Sequence, residues 1–246
     1  MNELKKVFFS IGSNLGNRLQ NLQKAIFLLG NEVGNVRNIS KVYETPSWGF
    51  DAPDFLNACL EIETKMEPLE ILGKILIIEK NLGRERSQNR GFKSRQIDID
   101  ILYYGNEILH SENLTIPHPK LHERKFALFP LADIAPQFYH PVLGKDTRNL
   151  IQECKDKSQV TKTVLKLFKT REELFTSLSF IAIEGNIGAG KTTLASKIAE
   201  QYNGKLVLER FADNPFLPKF YEDQGRYAVP LEMSFLADRY QQFSED

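Results

Sequence analysis

Two folds in tandem are predicted: an α+β domain with a mainly antiparallel sheet and helices packed on it over residues 1–160, then the first part of an α/β, Rossmann-like P-loop sheet over residues 178–246. Three observations predict this. Apolar runs of strand length at 7–11, 55–62 and 97–102 are interleaved with leucines and isoleucines at helical spacing. A later apolar run, Ser179–Glu184, leads straight into Gly185-Asn186-Ile187-Gly188-Ala189-Gly190-Lys191-Thr192 and then a helical pattern at Leu194, Ile198 and Ala199. Between them lies a polar, charged stretch from Lys155, helical in places (Val164, Leu165, Leu167, Phe168), whose residues 161–177 read as a linker.

Each element has its own justification. Val7-Phe8-Phe9-Ser10-Ile11-Gly12-Ser13-Asn14-Leu15-Gly16 reads as a buried strand that breaks at glycine, and Leu19 to Leu29 as the helix after it. In Phe55–Ile62 alternation puts Leu56, Ala58, Leu60 and Ile62 on a core-facing row and leaves Phe55 and Asn57 together on the other face. The twelve residues Arg84–Arg95 carry five basic groups (Arg84, Arg86, Arg90, Lys93, Arg95) and one acid, Glu85. They feed into Gln96-Ile97-Asp98-Ile99-Asp100-Ile101-Leu102, a strand that throws Asp98 and Asp100 onto one face and Ile97, Ile99 and Ile101 onto the other.

Two carboxylates that close on an apolar strand repel one another and are poorly solvated unless a cation neutralises them. Mg²⁺ fits, because it takes one or two carboxylates and completes its shell with water and substrate phosphates, which neighbouring arginines help to hold. The pattern therefore points to metal-assisted phosphoryl transfer; the plain alternative is a solvated strand edge beside a basic surface loop. In the later segment the glycine-rich loop between strand and helix is built to cradle phosphates on backbone N–H groups, with Gly185 and Gly190 shaping the turn, Lys191 reaching the β and γ groups and Thr192 holding Mg²⁺.

Composition excludes several classes. The formal net charge is zero, which argues against a dedicated nucleic-acid binder, and 41% hydrophobic residues suffice for globular cores. No apolar run approaches the ~20 residues of a membrane span, so no membrane partner is expected. Met1 to Lys6 leads directly into a strand without a signal peptide, and two cysteines, Cys59 and Cys154, are too few for a disulfide framework; a cytoplasmic setting is the expectation.

The ordered set Val7–Gly16, Tyr43-Glu44-Thr45-Pro46, Phe55-Leu56-Asn57-Ala58, Arg84–Asp100, Ile116-Pro117-His118-Pro119 and Arg124-Lys125-Phe126 resembles the 6-hydroxymethyl-7,8-dihydropterin pyrophosphokinases over about residues 5–155. The resemblance implies a ferredoxin-like fold and an enzyme of folate synthesis that moves pyrophosphate from ATP to the hydroxymethyl group of a reduced pterin, releasing AMP. It implies Asp98 and Asp100 as ligands of two Mg²⁺ ions and Arg84 and Arg95 as the catalytic arginines. Thr45, Pro46, Trp48, Phe55, Asn57 and Phe126 match pterin positions; Glu79, Arg86, Ile101, Thr115, His118 and Arg124 match ATP positions. Taken alone, Phe55 and Phe126 could equally be core packing, Glu79 a solvated acid and His118 structural. The chain departs from the family pattern by one extra residue between Arg84 and Asp98, by Phe92 where many members carry tryptophan, and by Asn113 where some carry arginine.

The segment Glu184–Thr193, with Leu206-Val207-Leu208-Glu209-Arg210 and Leu231–Tyr240, resembles the bacterial deoxynucleoside kinases. That resemblance implies a deoxynucleoside partner and Glu209, at the end of a second strand, as the base for its 5′-hydroxyl; a strand-end acid exposed to water is the alternative. A P-loop kinase needs a parallel sheet of about five strands covered on both faces, so residues 178–246 are expected to be an incomplete module that binds nucleotide weakly and does not turn over. Two other readings of the whole chain are a protein whose main role is deoxynucleoside phosphorylation and a non-catalytic nucleotide-binding scaffold.

Overall fold

The computed structural model describes residues 3–47, 52–84, 94–186, 188–208, 210 and 214–244. The chain forms two compact units, residues 1–174 and 175–246.

The first unit is a twisted antiparallel sheet with helices on both faces. Strand β1 (Lys5–Ser13) is followed by α1 (Arg18–Glu32), the short strands β2 (Asn35–Ile39) and β3 (Tyr43–Thr45), the long β4 (Phe55–Thr64), α2 (Pro68–Asn81) and β5 (Asp98–Tyr104). The sheet order is β5-β1-β4-β3-β8, with β2 also on β4 and β8 (Thr161–Lys162) closing the edge beside β3. A small hairpin, β6 (Leu109–His110) with β7 (Thr115–Ile116), leads to α3 (Lys125–Ile134) and α4 (Thr147–Glu153).

Period-two alternation divides the side chains of the sheet. Val7, Phe9 and Ile11 of β1, Leu56, Ala58, Leu60 and Ile62 of β4 and Ile99 and Ile101 of β5 are buried against Leu22, Ile26 and Leu29 of α1 and Ile71, Ile75 and Ile78 of α2. Each such side chain contributes about 1.5–3 kcal/mol on burial. On the opposite face Phe8, Cys59, Leu102 and Tyr103 pack on Leu128 and Leu131 of α3 and Leu150 of α4. A β-bulge makes this division possible: the β1–β5 register shifts between Phe8 and Phe9, which pair with Tyr103 and Ile101 and leave Leu102 extra. Leu102 and Tyr103 thus share one face while Ile101 and Tyr104 share the other.

The helices start where the sequence offers caps. Asn17 accepts from Gln20 N at the head of α1, Glu67 and Glu70 form a capping box ahead of Pro68 in α2, and Asp146 accepts from Asn149 N in α4. Residues 163–168, expected to be partly helical, are not helical; Thr163 bonds Val42 O through its N (2.9 Å) and Oγ1 (3.0 Å), and Gln23 clasps the backbone of Phe168. Binding to the sheet edge and to α1 holds this stretch extended, and a helix forms only at α5 (Arg171–Thr176).

The second unit carries α6 (Lys191–Tyr202), α7 (Leu217–Glu222) and α8 (Gln224–Ser244). The expected strand at Ser179–Glu184 is not present, nor is one at Leu206–Leu208, and no strand occurs among the described residues of this unit. A strand exists only as a member of a ladder, and a parallel one needs both faces covered; here Phe180 and Ile181 are exposed and belong to no ladder among the described residues. The described residues of this unit thus show helices and none of the α/β sheet expected over 178–246. Its apolar interior is small, with Leu231 and Phe235 buried and Phe175 stacked on Tyr202.

Candidate active site

One cavity of about 250 Å³ lies in the first unit over the ends of β1, β4 and β5, lined by Phe126 of α3 and, past the β5 edge, by Leu72, Ile75 and Glu79 of α2. Its floor follows from register. Gly12 of β1 pairs with Asn57 of β4 on one side and Asp98 of β5 on the other, and Ser10 pairs with Cys59 and Asp100. Small residues in the central strand leave a trough between an amide-and-aromatic bank on β4 and a carboxylate bank on β5.

On the first bank Asn57, buried, donates from Nδ2 to Thr45 Oγ1 at 2.9 Å. Phe55 and Pro46 line the cavity beside them, and Phe126, at the start of α3, faces in from above. A Cβ on Gly12 would lie 2.9 Å from Asn57 Oδ1, so the absence of a side chain there sets the position of the amide.

The second bank is a network of charge. Asp98 pairs with Arg84 (2.7 Å) and Arg95 (2.5 Å). Glu79, buried in α2, accepts from Arg84 and from the backbone N of Ile99 (3.0 Å), and so fixes both a guanidinium and the strand between the two aspartates. Asp100 meets Arg124 at 3.3 Å, and the Arg124 guanidinium lies 5.5 Å from the centre of the Phe126 ring. His118 takes a hydrogen bond at Nδ1 from Lys120 N, and its Nε2 lies 3.5 Å from Arg124 Nη1 and 3.9 Å from Asp100 Oδ2.

Burial and the neighbouring Asp98 carboxylate push Asp100 up to about 7, against the pull of Arg124 and Arg95. Burial, with Arg124 beside it, holds His118 down at about 4. Asp98 and Asp100 thus stand side by side on one face of β5, with the Asp100 side chain one-third exposed to the cavity. A dication fits there. The described residues offer it a pair of carboxylates, the donor set of an ion that also takes oxygens from phosphate and water.

Of the residues singled out by sequence, Thr45, Pro46, Phe55, Asn57, Glu79, Arg84, Arg95, Asp98, Asp100, His118, Arg124 and Phe126 line this one cavity. Ile101 and Thr115 do not: the Ile101 side chain is in the α1–α2 core, and Thr115 sits in β7. Trp48, Arg86 and Glu209 lie outside the described residues. Sequence reasoning missed Ser10 and Gly12, although their alternation with Phe9 and Ile11 places them on the site face, and it missed Leu72 and Ile75 of α2. In the second unit Gly188 and Gly190 adopt positive φ (79° and 83°), and Lys191 Nζ donates to Gly185 O and Asn186 O.

Comparison with known proteins agrees with this geometry. Residues 8–136 match the family model of 7,8-dihydro-6-hydroxymethylpterin-pyrophosphokinase, and residues 181–245 match that of deoxynucleoside kinase. The 2-amino-4-hydroxy-6-hydroxymethyldihydropteridine pyrophosphokinase of Aquifex aeolicus is 39% identical over 148 residues, 60% of this chain and 91% of that protein. The Porphyromonas gingivalis enzyme of the same name is 41% identical over 55% of this chain and 93% of its own length. The folic acid synthesis protein fol1 of Pneumocystis carinii is 39% identical over 151 residues, and the chain spans only 20% of that longer protein. Among solved structures, Plasmodium falciparum HPPK-DHPS, crystallised with SDX-DHP, shares the fold at TM-score 0.53 and 18% identity, over 62% of this chain and 45% of that one. Over residues 8–136 the chain belongs to the 7,8-dihydro-6-hydroxymethylpterin-pyrophosphokinase family.

Proposed function

We propose that the first unit transfers pyrophosphate from ATP to the hydroxymethyl group of 6-hydroxymethyl-7,8-dihydropterin, giving the pterin diphosphate and AMP in folate biosynthesis. The observation that carries this reading is the meeting, in one cavity, of an amide-and-aromatic bank and a carboxylate–arginine bank. The order and directions of the strands support the ferredoxin-like assignment for this unit.

On the β4 bank Asn57 offers an amide that both donates and accepts to a ring edge, Thr45 orients that amide, and Phe55, Phe126 and Pro46 supply flat apolar faces; Trp48 is assigned to the same substrate. On the β5 bank Asp98 and Asp100 would hold Mg²⁺, two ions being expected, which supplies charge neutralisation of the phosphates and polarises the group in transfer. Arg84 and Arg95 are placed to release Asp98 and clamp the transferring phosphates, the kind of donor whose loss costs about 3–4 kcal/mol in the transition state. Arg124 and His118, with Arg86, Thr115 and Ile101, are assigned to ATP, and Glu79 acts on that side through Arg84. No covalent nucleophile is needed, because holding the substrates in line supplies most of the rate.

The second unit is proposed to hold nucleoside phosphates at Gly185–Thr192, with Glu209 as the base for a deoxynucleoside. Because no strand among its described residues supports that loop, it should not turn over by itself. We assign residues 1–160 and 178–246 to the two modules, with 161–177 joining them, the first part of that join being packed into the first compact unit, which runs to residue 174. A cytoplasmic setting is consistent with two free cysteines.

The test is a reaction of the purified chain with Mg-ATP and 6-hydroxymethyl-7,8-dihydropterin, with AMP and the pterin diphosphate separated by chromatography. AMP released only when pterin is present establishes the transfer. No AMP from folded protein favours the scaffold reading, and ADP formed with a deoxynucleoside acceptor shows that the second unit turns over.

A further inference from the structure

Asn14 belongs to neither bank of the cavity, yet its side chain is spent on both. It sits where β1 ends, 2% exposed. Its Oδ1 accepts from the backbone N of Arg95 at 2.6 Å, and its own backbone N donates to Arg95 O at 3.1 Å. Its Nδ2 donates to Ser94 Oγ (3.1 Å) and to Pro53 O (3.2 Å), two residues before Phe55 begins β4. The turn that carries it is itself tied down, since Asn21 donates to Ser13 Oγ and Leu15 O, and Arg18 reaches Asp54 O at 2.7 Å.

A buried carboxamide can form this joint because it has a donor and an acceptor on one rigid plane. Segments 81 residues apart in sequence, the base of Arg95 and the end of β1, are thereby fixed to one another, and the chain entering β4 is fixed to both. The main-chain position of Arg95 decides where its guanidinium stands relative to Asp98, 2.5 Å away.

We propose that Asn14 is a positioning residue for the transfer reaction: Oδ1 sets Arg95 for the phosphates, and Nδ2 sets the entry of β4, and so Phe55, for the pterin. This rests on the pyrophosphokinase reading. The two atoms are separable by substitution. Asn14→Asp keeps an acceptor for Arg95 N but replaces the donor to Pro53 O by a second acceptor that repels it. Asn14→Ala removes both functions.

The test compares wild-type, Asn14→Asp, Asn14→Ala, Arg95→Ala and the Asn14→Ala/Arg95→Ala double variant of the full chain in the AMP assay, with thermal unfolding of each. In Asn14→Asp the pterin KM is expected to rise about tenfold with a much smaller fall in kcat; in Asn14→Ala kcat is expected to fall about tenfold or more as well. In the Arg95→Ala background the kcat effect of Asn14→Ala should vanish, because a residue acting through another has nothing left to position. Additive losses in the double variant, or equal kcat losses in Asn14→Asp and Asn14→Ala that follow a common fall in melting temperature, would overturn the proposal in favour of a structural role. If the wild type releases no AMP the functional reading fails on its own. Amide exchange at Arg95 then still decides the positioning: faster exchange in Asn14→Ala than in wild type supports it, and equal rates refute it.

Discussion

At the scale of single residues, much of the site depends on what is missing at Gly12. A methyl group there would press on Asn57 Oδ1 at 2.9 Å, while touching Phe55 Cδ1 at an ordinary 3.5 Å. Gly12→Ala should therefore turn the amide off Thr45 and raise the pterin KM by roughly ten- to a hundredfold, and the disturbed buried hydrogen bond, at about 1–3 kcal/mol, should lower the unfolding temperature by several degrees as well. An unchanged KM would show that the pterin does not use Asn57. On the opposite bank Arg95→Ala should lower kcat by about 10²–10³-fold with the fold retained; steady-state AMP release with circular dichroism checks both. Most of these residues were legible in the sequence, because Asp98 and Asp100, like Phe55 and Asn57, have the i, i+2 spacing that a strand converts into a shared face. Glu79 was legible as a residue but not in its job: only folding brings it onto Arg84 and the Ile99 amide. Asn14 gave no periodic signal, since its partners are Pro53, Ser94 and Arg95, far along the chain.

Among the elements, those with strong periodicity were legible and those defined by their partners were not. The strands β1, β4 and β5 and the helix α1 follow from alternation and leucine spacing. The strands β2, β3 and β8 are two to five residues long and exist because β4 and β3 offer them hydrogen bonds. The reverse holds at Ser179–Glu184, where a strand-like sequence finds no ladder. Packing at the α1–β2 turn is close enough to test: a Cβ on Gly34 would lie 2.3 Å from Glu63 O, so Gly34→Ala should destabilise the first unit by about 1–3 kcal/mol in urea unfolding. Within β4, burial and the nearby Asp133 push the Cys59 thiol well above its ordinary range. Only Cys154 should therefore react with a thiol reagent at pH 8 in the native protein, and both cysteines in denaturant. Because the folded state raises the Cys59 pKa, its contribution to stability is complete below about pH 9 and should be lost above it by up to about 1.4 kcal/mol per pH unit. Rapid native labelling of both thiols would contradict the buried placement.

At the scale of the whole molecule the first unit extends to residue 174. A chain cut after Leu174 should keep pterin-dependent AMP release, whereas one cut at residue 160 loses β8, the Thr163 bonds to Val42 and the Gln23–Phe168 clasp and should unfold at a lower temperature. Equal melting temperatures would mean that residues 161–174 add nothing to this unit. The sheet itself carries a further consequence. The amide-and-aromatic bank stands on β4 and the carboxylate bank on β5, with β1 between them, and interstrand spacing is set by backbone hydrogen bonds at about 4.8 Å. The backbones that carry Asn57 and Asp98 are thus held apart by two such spacings, roughly 10 Å, a gauge that no side-chain substitution resets. The cleft between the two rows of side chains therefore keeps its width through any exchange of those side chains, and only a change in the ladder of β1 could widen or narrow it.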